Sequence, residues 1–276
     1  MKQNILITGG TGYIGNILRE YLKTNYTIFS PTHVELELQN TADVEKYFQT
    51  HNVDTMIHAA VVGGSRKEEE VESSVAINLR MLFNILRCRK YFRKFIHLGS
   101  GAEYDKSRPL VRVKETEFDT RVPLDAYGFY KYLAAKYLEI IPGAVNLRIF
   151  GLFGPGEDYR FRFISHAICR NIYGMPIAIR QNVFFDYVYI KDFIRIVEYF
   201  ISHNATYPCY NIGTGKKIDL LTIAKKIDTI TEQHSKIVIQ KKGLNLEYTC
   251  NATRLMKELN KFSFTLFDVA LQELYA

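Results

Sequence analysis

The stretch Thr8-Gly9-Gly10-Thr11-Gly12-Tyr13-Ile14-Gly15 follows the apolar run Ile5-Leu6-Ile7 and opens a helical pattern. A buried strand that turns through glycines into a helix presents free backbone NH groups and a positive helix end to an anion. The glycines also let a pyrophosphate approach the backbone, and the strand-turn-helix context separates this pattern from an ordinary tight turn. The stretch therefore predicts a dinucleotide site formed by Gly9, Thr11, Gly12, Tyr13, Ile14 and Gly15.

Composition sets the broad class. With 276 residues, of which 47% are hydrophobic, the chain can bury the core of one large α/β domain or of a main domain with a smaller lobe. The formal charge of +7 comes without a long Lys/Arg block, which favours scattered charge plus some arginines at an anion site. The four cysteines are widely spaced, so neither a disulfide scaffold nor a metal site is expected.

Localisation follows from the same features. The N-terminus runs directly into the strand and the glycine turn without a cleavable apolar segment, and no apolar run reaches the length of a membrane span. Together with the cysteine usage, this predicts a reduced, cytoplasmic protein with no membrane partner.

A second strand is predicted at Tyr26-Thr27-Ile28-Phe29-Ser30, so residues 5 to 30 form a βαβ unit and the sheet should be parallel. Sites that prefer NAD usually carry an acid at the end of this strand, whereas a 2′-phosphate needs neutral or basic neighbours. The tip here contains Ser30 and His33, and no carboxylate precedes Glu35. We therefore expect NADP(H) rather than NAD(H), with Ser30 and His33 as contacts. His33 could equally be a solvated loop residue.

The next elements line the same site. A helix capped at Asn40 or Thr41 precedes a buried strand at 55–60, whose last residues, Ala59 and Ala60, are small enough for a cofactor to lie against the backbone. The charged segment 66–70 is predicted as a solvated helix start. Asn78, in an apolar helix, is either a satisfied polar group or a buried amide that holds active-site backbone.

Ser100, Tyr127 and Lys131 are the predicted catalytic residues. Ser100 ends the strand that begins at Phe95, and ligands bind outside the carboxyl ends of parallel strands. Tyr127 and Lys131 are four residues apart on one helix and share a face. Bringing a phenol pKa from about 10 to about 7 requires about 4 kcal/mol, which close positive charges can supply. Lys131 would favour the phenolate and hold the cofactor ribose, Ser100 would bind the substrate oxygen, and Tyr127 would move the proton while hydride is transferred.

These motifs resemble the extended short-chain dehydrogenase/reductases of the nucleotide-sugar epimerase, dehydratase and reductase group, over nearly the whole chain. The motifs that carry the resemblance are TGGTGYIG at 8–15, HAA at 58–60, GS at 99–100, YGFYK at 127–131, LRIFGLFGP at 147–155, DYVYIKD at 186–192 and NIGTG at 211–215. Within the group, VELELQNTADVEKYF and IHAAVVGG are most similar to the GDP-fucose synthases, which are NADP-dependent epimerase/reductases of 4-keto-6-deoxy sugars. The resemblance implies an NAD(P)-binding Rossmann domain and a nucleotide-sugar substrate.

Departures from that pattern narrow the reaction. Ala102 stands where the resembling synthases carry an epimerising cysteine, and it cannot move a proton. His166 matches their histidine, and is expected either to bind the sugar or to be a plain helix-face residue. The acid pair of the 4,6-dehydratases is replaced by Gly101 and Ala102, and Glu103 is expected to point elsewhere. Ala102 and His166 thus remain as predicted substrate contacts.

The rest of the chain is expected to form the substrate side. Arginines at 160, 162, 170 and 180 follow Pro155, and we expect Arg160 and Arg180 to bind a nucleotide diphosphate, although each could be only a surface residue. Phe185 stands where the family carries a pyrophosphate-binding arginine. The predicted fold is α/β, a Rossmann-type doubly wound parallel sheet with a smaller mixed α/β C-terminal substrate lobe. The Rossmann domain is expected at 1–150 and 184–202, and the lobe at 151–183 and 203–276, with a turn around Gly243.

The leading interpretation is an NADP(H)-dependent reductase of a nucleotide-diphosphate-linked 4-keto sugar. Its alternatives are an NAD-dependent nucleotide-sugar 4-epimerase and, from another class, a cofactor-sensing regulatory protein with a degenerate site. A nucleic-acid binder is disfavoured because no basic stripe is interleaved with aromatic residues. By resemblance, a homodimer is expected.

Overall fold

The structure is a computed structural model that describes residues 2–63, 73–230 and 232–276. The helix start expected at 66–70 lies outside the described residues. The strands are β1 Asn4–Thr8, β2 Thr27–Phe29, β3 Thr55–His58, β4 Lys94–Ser100, β5 Leu110–Val113, β6 Ala144–Ile149, β7 Gly151–Phe153, β8 Ile177–Asn182, β9 Phe184–Phe185, β10 Tyr187–Tyr189, β11 Cys209–Ile212, β12 Ile218–Asp219, β13 Ile237–Leu244 and β14 Tyr248–Cys250. The α-helices are α1 Tyr13–Leu22, α2 Thr41–Thr50, α3 Ser73–Arg87, α4 Ala126–Leu138, α5 Phe163–Ile172, α6 Ile190–Ser202, α7 Leu220–Asp228, α8 Thr253–Leu259 and α9 Phe267–Tyr275.

Six strands form the main sheet, in the order β11-β6-β4-β3-β1-β2. β1 pairs in parallel with β2 and β3, and β3 pairs in parallel with β4, so that Ile5 lies opposite both Ile28 and Thr55. β1 and β3 are almost entirely buried, as expected for parallel strands covered by helices. The βαβ unit predicted for residues 5 to 30 and the Rossmann-type α/β fold are both confirmed.

Helix α2 starts at the predicted cap, and helix α4 starts with a cap of the same kind. The Asn40 side chain accepts hydrogen bonds from the backbone NH groups of Ala42 and Asp43 at the start of α2. The Asp125 side chain accepts one from Gly128 at 2.9 Å, which fixes the start of α4. Such caps satisfy backbone donors that have no partner inside the helix.

One face of the main sheet carries a core built from helices α2, α3 and α4. Its fully buried members come from strands β1, β3 and β4 and from all three helices: Leu6, Val44, Met56, Leu82, Ile85, Phe95, Tyr130 and Ala134. Because these side chains leave water together, they fix the height and rotation of α4 above the strand ends. The positions of Tyr127 and Lys131 on α4 therefore depend on this core.

The chain divides into two compact units. The first contains Met1–Asp105, Phe118–Arg148 and Ile196–Tyr210, and the second contains Lys106–Glu117, Ile149–Arg195 and Asn211–Ala276. The second unit contains the sheets β10-β7, β12-β9-β14-β5 and β13-β8, with α5, α7, α8 and α9. The division into a cofactor domain and a substrate lobe stays a prediction.

Two details differ from the sequence-based expectations. The strand and helix expected after Asp186 exist as β10 and α6, but β10 pairs with β7 and the main sheet takes β11 instead. The turn expected around Gly243 is wrong, because the chain continues as β13 through a register shift between Lys241 and Leu244, with Gly243 at φ +80°. A bulge and a turn both favour glycine at positive φ, so the residue type could not separate them. Across the described part of the chain, the helices are too short or too polar to traverse a lipid bilayer.

Candidate functional site

The glycine turn after β1 is shaped by backbone contacts alone. Gly9 has φ +71°, and the Gly12 NH donates to the Gly9 carbonyl at 3.0 Å, which closes the turn. A Cβ on Gly15 would lie 2.2 Å from the Gly9 carbonyl oxygen, so α1 approaches the turn more closely than any other residue type allows. Gly9 and Gly15 are therefore required by conformation and by packing, respectively.

Three strand ends meet at this turn. A Cβ on Gly9 would lie 2.7 Å from the Ala60 NH, and one on Gly10 would lie 1.8 Å from Ser30 Oγ. The residues predicted after β1, β2 and β3 are thus brought together. Ser30 Oγ is buried and has no hydrogen-bond partner among the described residues, which leaves a polar atom available at the junction.

The start of α1 adds an anion-binding end to the same place. Gly12 caps the helix without a side-chain hydrogen bond, and the first turn contains no acidic residue. Tyr13 and Ile14, which were predicted as contacts, are the first two residues of this helix, and Thr11 precedes them on the surface. The positive helix end, the glycine cradle and the unpartnered Ser30 hydroxyl together fit a dinucleotide phosphate.

The tip of β2 carries a carboxylate close to the ribose-recognition position. Glu35 Oε2 accepts hydrogen bonds from the Thr32 NH at 2.7 Å and from Thr32 Oγ1 at 2.9 Å. The Thr32 backbone hydrogen bond holds the pKa of Glu35 below its ordinary value. His33 is largely exposed, with Nδ1 3.9 Å from Glu37 Oε2. The structure therefore holds a folded-back acid against Thr32 at the tip of β2, in a cleft that Ser30 lines together with Lys46 and His51.

Asn78 is the buried amide that was considered from the sequence. Its Oδ1 accepts from the Val62 NH and its Nδ2 donates to the Val62 carbonyl, both at 2.8 Å. The backbone NH and the backbone carbonyl of Val62 are thus both satisfied by the Asn78 side chain. Asn78 on α3 consequently holds the backbone that follows Ala59 and Ala60, and that this backbone lines the active site stays a prediction.

Tyr127 and Lys131 lie on one face of α4. Lys131 Nζ is 5.8 Å from the centroid of the half-buried Tyr127 ring and donates to the Leu98 carbonyl of β4 at 2.6 Å. Burial lowers the pKa of Lys131 to about 8, although the charge of Glu103 acts in the opposite direction. Lys131 is therefore cationic at neutral pH but close to its titration range.

Tyr130, next to Tyr127 in sequence, is a different kind of residue. It is fully buried, and burial raises the pKa of its hydroxyl well above the ordinary value. Two buried histidines, His58 and His97, also lie close by, and burial lowers the pKa of His58 to about 3. These groups stay neutral, and the role of Tyr127 in proton transfer stays a prediction.

Ser100 lies at the end of β4 and starts a 3₁₀ turn at 101–104. Its Oγ accepts a hydrogen bond from the Ala102 NH at 3.1 Å, and its own NH donates to Glu103 Oε1 at 2.9 Å. Because Oγ acts as an acceptor toward the backbone, its proton can be donated elsewhere. Ala102 is 1% exposed and offers only a methyl group.

Glu103 and Arg148 were not recognised from the sequence as part of this region. Both side chains are fully buried, and Arg148 Nε donates to Glu103 Oε2 at 2.5 Å. Burial alone lowers the pKa of Arg148, but Glu103, Tyr104 and Cys209 together raise it above its ordinary value, so the pair is ionic. The two residues are 45 positions apart, and a local sequence pattern could not pair them. Glu103 was expected to point elsewhere than the acid position of the dehydratases; its buried side chain turns back toward β4 and accepts from the Ser100 NH.

The remaining predicted contacts lie in the second unit. Both guanidinium nitrogens Nε and Nη2 of Arg160 contact the Asp158 carboxylate, at 2.9 and 3.0 Å, so its bidentate fork is already engaged. His166 Nδ1 lies 3.2 Å from the Tyr159 carbonyl, and Arg180 is exposed on β8. Asp186, after Phe185, accepts from the NH groups of Thr214 and Gly215 and therefore shapes the NIGTG turn. The substrate roles of Arg160, His166 and Arg180 stay predictions.

Comparison with known proteins agrees with this geometry. The family model described as "NAD dependent epimerase/dehydratase family" matches residues 5–213. A GDP-L-fucose synthase from Azorhizobium caulinodans is 26% identical over 242 residues, 79% of this chain and 78% of that protein.

Solved structures show the same fold at lower identity. A UDP-glucose 4-epimerase from Thermotoga maritima has a TM-score of 0.83 at 20% identity, covering 99% of this chain and 97% of that one. A GDP-mannoheptose C4 reductase from Campylobacter jejuni, solved with NADP bound, has a TM-score of 0.84 at 16% identity with the same coverage of 99% and 97%. The chain belongs to the NAD dependent epimerase/dehydratase family, as its motifs indicated, and is an NAD(P)-dependent enzyme.

Proposed function

We propose that the protein is an NADP(H)-dependent reductase of a nucleotide-diphosphate-linked 4-keto sugar. The observation that carries the proposal is the arrangement after β4: a serine hydroxyl with a free proton and a lysine-backed tyrosine, beside Ala102 in place of an acid or base. This set suits proton and hydride transfer at one carbon. It does not suit C3/C5 epimerisation through the residue at position 102, because a methyl group cannot exchange a proton.

In the proposed reaction, each residue has one task. A bound nicotinamide supplies the hydride. Ser100 donates a hydrogen bond to the substrate carbonyl oxygen, and Tyr127 gives that oxygen its proton. The ammonium group of Lys131 stabilises the phenolate left on Tyr127 and holds the cofactor ribose. Gly9, Gly12, Gly15 and the first amides of α1 hold the pyrophosphate.

The substrate class is supported by the relatives. The GDP-L-fucose synthase and the GDP-mannoheptose C4 reductase are both named for GDP-linked sugars. In this chain, Arg180 and His166 are proposed to bind the substrate, with Arg160 doing so only if it leaves Asp158. The lobe at 151–183 and 203–276, a homodimer and a cytoplasmic location are kept as parts of the same proposal.

A substrate screen tests the proposal. Purified protein is incubated with NADPH and with GDP-linked or dTDP-linked 4-keto-6-deoxyhexoses, and the loss of NADPH absorbance is followed. Oxidation of NADPH in step with formation of the 4-hydroxy sugar supports the proposal. Absence of turnover with every 4-keto sugar, alongside interconversion of a 4-hydroxy nucleotide sugar with its epimer, contradicts it.

A nucleotide-sugar 4-epimerase that uses NAD is the second candidate, and Glu35 is the observation that favours it. The Glu35 carboxylate, fixed by Thr32 at the tip of β2, would repel a 2′-phosphate bound there and could accept a hydrogen bond from a ribose 2′-OH. An epimerase reuses its cofactor and retains it. Mass spectrometry of protein purified without added cofactor distinguishes the two candidates, since tightly held NAD indicates the epimerase.

A further inference from the structure

We propose that Glu103 is a positioning residue that sets the Ser100 hydroxyl for hydrogen-bond donation to substrate, and that Arg148 and Asn146 hold Glu103 in place. The inference rests on the proposed function, because it assumes that Ser100 acts on the substrate oxygen. It concerns a buried group that the reaction itself does not use.

Glu103 and Ser100 form a reciprocal pair of hydrogen bonds across one turn. Glu103 Oε1 accepts from the Ser100 NH at 2.9 Å, while Ser100 Oγ accepts from the Ala102 NH at 3.1 Å. This capping box fixes both the backbone of Ser100 and the direction of its Oγ. Because one lone pair of Oγ accepts from the Ala102 NH, the hydroxyl keeps its proton for donation to another acceptor.

The carboxylate is itself held from the other side. Glu103 Oε2 accepts from Asn146 Nδ2 at 2.9 Å and from Arg148 Nε at 2.5 Å, and both donors lie on β6. The Arg148 guanidinium lies 3.9 Å from the centroid of the Phe118 ring and donates to Tyr104 Oη at 3.2 Å. The guanidinium therefore has little freedom to move, and neither has the carboxylate that it contacts.

Only a glycine at position 99 leaves room for this arrangement. A Cβ at position 99 would lie 2.2 Å from Asn146 Oδ1 and 2.4 Å from Glu103 Oε1. The glycine before Ser100 therefore allows the carboxylate to pass beneath β4 and reach the Ser100 NH. The chain of contacts runs from β6 through Glu103 to the serine.

Glu103 cannot act directly on substrate. It is 0% exposed, and its two oxygens receive hydrogen bonds from Ser100, Asn146 and Arg148. Glu103 can therefore affect turnover by two routes, through its hydrogen bond to Ser100 and through its charge, which raises the pKa of Lys131. Glu103→Asp keeps the charge and therefore isolates the first route. A double-mutant cycle detects that dependence, because two residues that act through one another are not additive.

The experiment compares Glu103→Asp and Glu103→Gln, each in the wild-type and the Ser100→Ala background. Turnover is measured as NADPH oxidation with the 4-keto sugar identified by the screen. Glu103→Asp keeps the charge opposite Arg148 but shortens the reach to the Ser100 NH, whereas Glu103→Gln keeps the reach and loses the charge. We expect Glu103→Asp to lower kcat about tenfold or more with KM nearly unchanged, since small displacements at a reacting group are costly. Glu103→Gln should lower the melting temperature more and kcat less.

In the Ser100→Ala background, the proposal expects Glu103→Asp to change kcat by less than about twofold, since Glu103 then has no serine to position. A kcat loss that persists at full size without Ser100 overturns the proposal, as does an unchanged kcat in Glu103→Asp. If Glu103→Asp does not fold, Glu103→Gln is put through the same cycle at pH 6, well below the Lys131 pKa of about 8, so that the lost charge has little effect on Lys131. The same two outcomes then decide.

Glu115→Asp is the matched control. Glu115 is another buried carboxylate that accepts from a backbone NH, that of Asn211 at 2.9 Å, but it belongs to the second unit, whereas Ser100 belongs to the first. It should lower stability without a selective loss of kcat. If Ser100→Ala alone leaves turnover unchanged, the proposed role of Ser100 fails, and that result is distinct from failure of the Glu103 inference.

Discussion

Two turns at the same edge of the main sheet are built in opposite ways. The turn after β1 is shaped by glycines. A Cβ added to Gly9, Gly10 or Gly15 would lie only 1.8 to 2.8 Å from atoms of Ser30, Ala59, Ala60 or the turn itself. The turn after β4 is shaped by side chains, through the capping box of Ser100 and Glu103 and its buried support from Asn146 and Arg148.

The difference reflects what each turn has to do. A turn that receives a pyrophosphate needs exposed backbone donors and no bulk, which a run of glycines provides locally. A turn that presents one hydroxyl to a reacting carbonyl needs a fixed direction, and rigid neighbours with satisfied hydrogen bonds provide it. The first turn should therefore be sensitive to added volume and the second to lost polar contacts.

The largest expected effect is on stability, in the turn after β4. Glu103→Ala leaves the buried guanidinium of Arg148 without its carboxylate, and breaking such a pair costs about 3–5 kcal/mol. Urea unfolding followed by circular dichroism measures the loss. The double variant Glu103→Ala/Arg148→Met removes both charges and should recover part of the lost stability. A double variant that is no more stable than Glu103→Ala would contradict the ion-pair explanation.

The next effect is on turnover. Tyr127→Phe removes the proposed proton donor and should lower kcat by about a hundredfold or more, equivalent to about 2.7 kcal/mol in the barrier. NADPH binding, followed by fluorescence titration, should persist. Tyr130→Phe is the control, because its buried hydroxyl is not expected to transfer protons. Loss of NADPH binding in Tyr127→Phe would contradict the assigned role.

In the glycine turn, Gly15→Ala should cost about 1–3 kcal/mol, since the added methyl group meets the Gly9 carbonyl oxygen and forces the helix away from the turn. Gly15→Ala should also lower the affinity for NADPH, because the backbone amides at the start of α1 move. Gly12→Ala is the comparison: its Cβ would lie 3.3 Å from the same oxygen, and Gly12 has φ −78°. In thermal unfolding without cofactor, Gly15→Ala should have a clearly lower melting temperature than Gly12→Ala. Equal melting temperatures would refute the packing argument.

The smallest effect is expected at the tip of β2. His33 is largely exposed, and an exposed charge contact contributes about 0–1 kcal/mol. His33→Ala should therefore weaken NADPH binding by less than about fivefold and leave NADH binding unchanged in parallel titrations. Equal weakening of both cofactors would show that His33 does not recognise the 2′-phosphate.

Much of the fold could be read from local patterns. The strand, glycine turn and helix at 5–22, the caps at Asn40 and Asp125 and the Tyr127/Lys131 spacing are all set by residues within a few positions of one another. Short-range hydrogen bonds and the 3.6-residue period of the helix act at that distance, so they are legible in sequence. The same patterns indicated the family.

The tertiary structure decided how those pieces meet. That a carboxylate at 103 is buried, faces an arginine at 148 and supports Ser100 depends on β4 and β6 being neighbours in the sheet. Likewise, the choice of β11 over β10 as the sixth strand and the closeness of Ser30 to Gly10 arise from packing over long separations. Sequence determined which backbone could bind a dinucleotide, because glycine conformation is a local property; the direction of the Ser100 hydroxyl was decided only by the fold, because buried charges must find partners wherever the chain brings them.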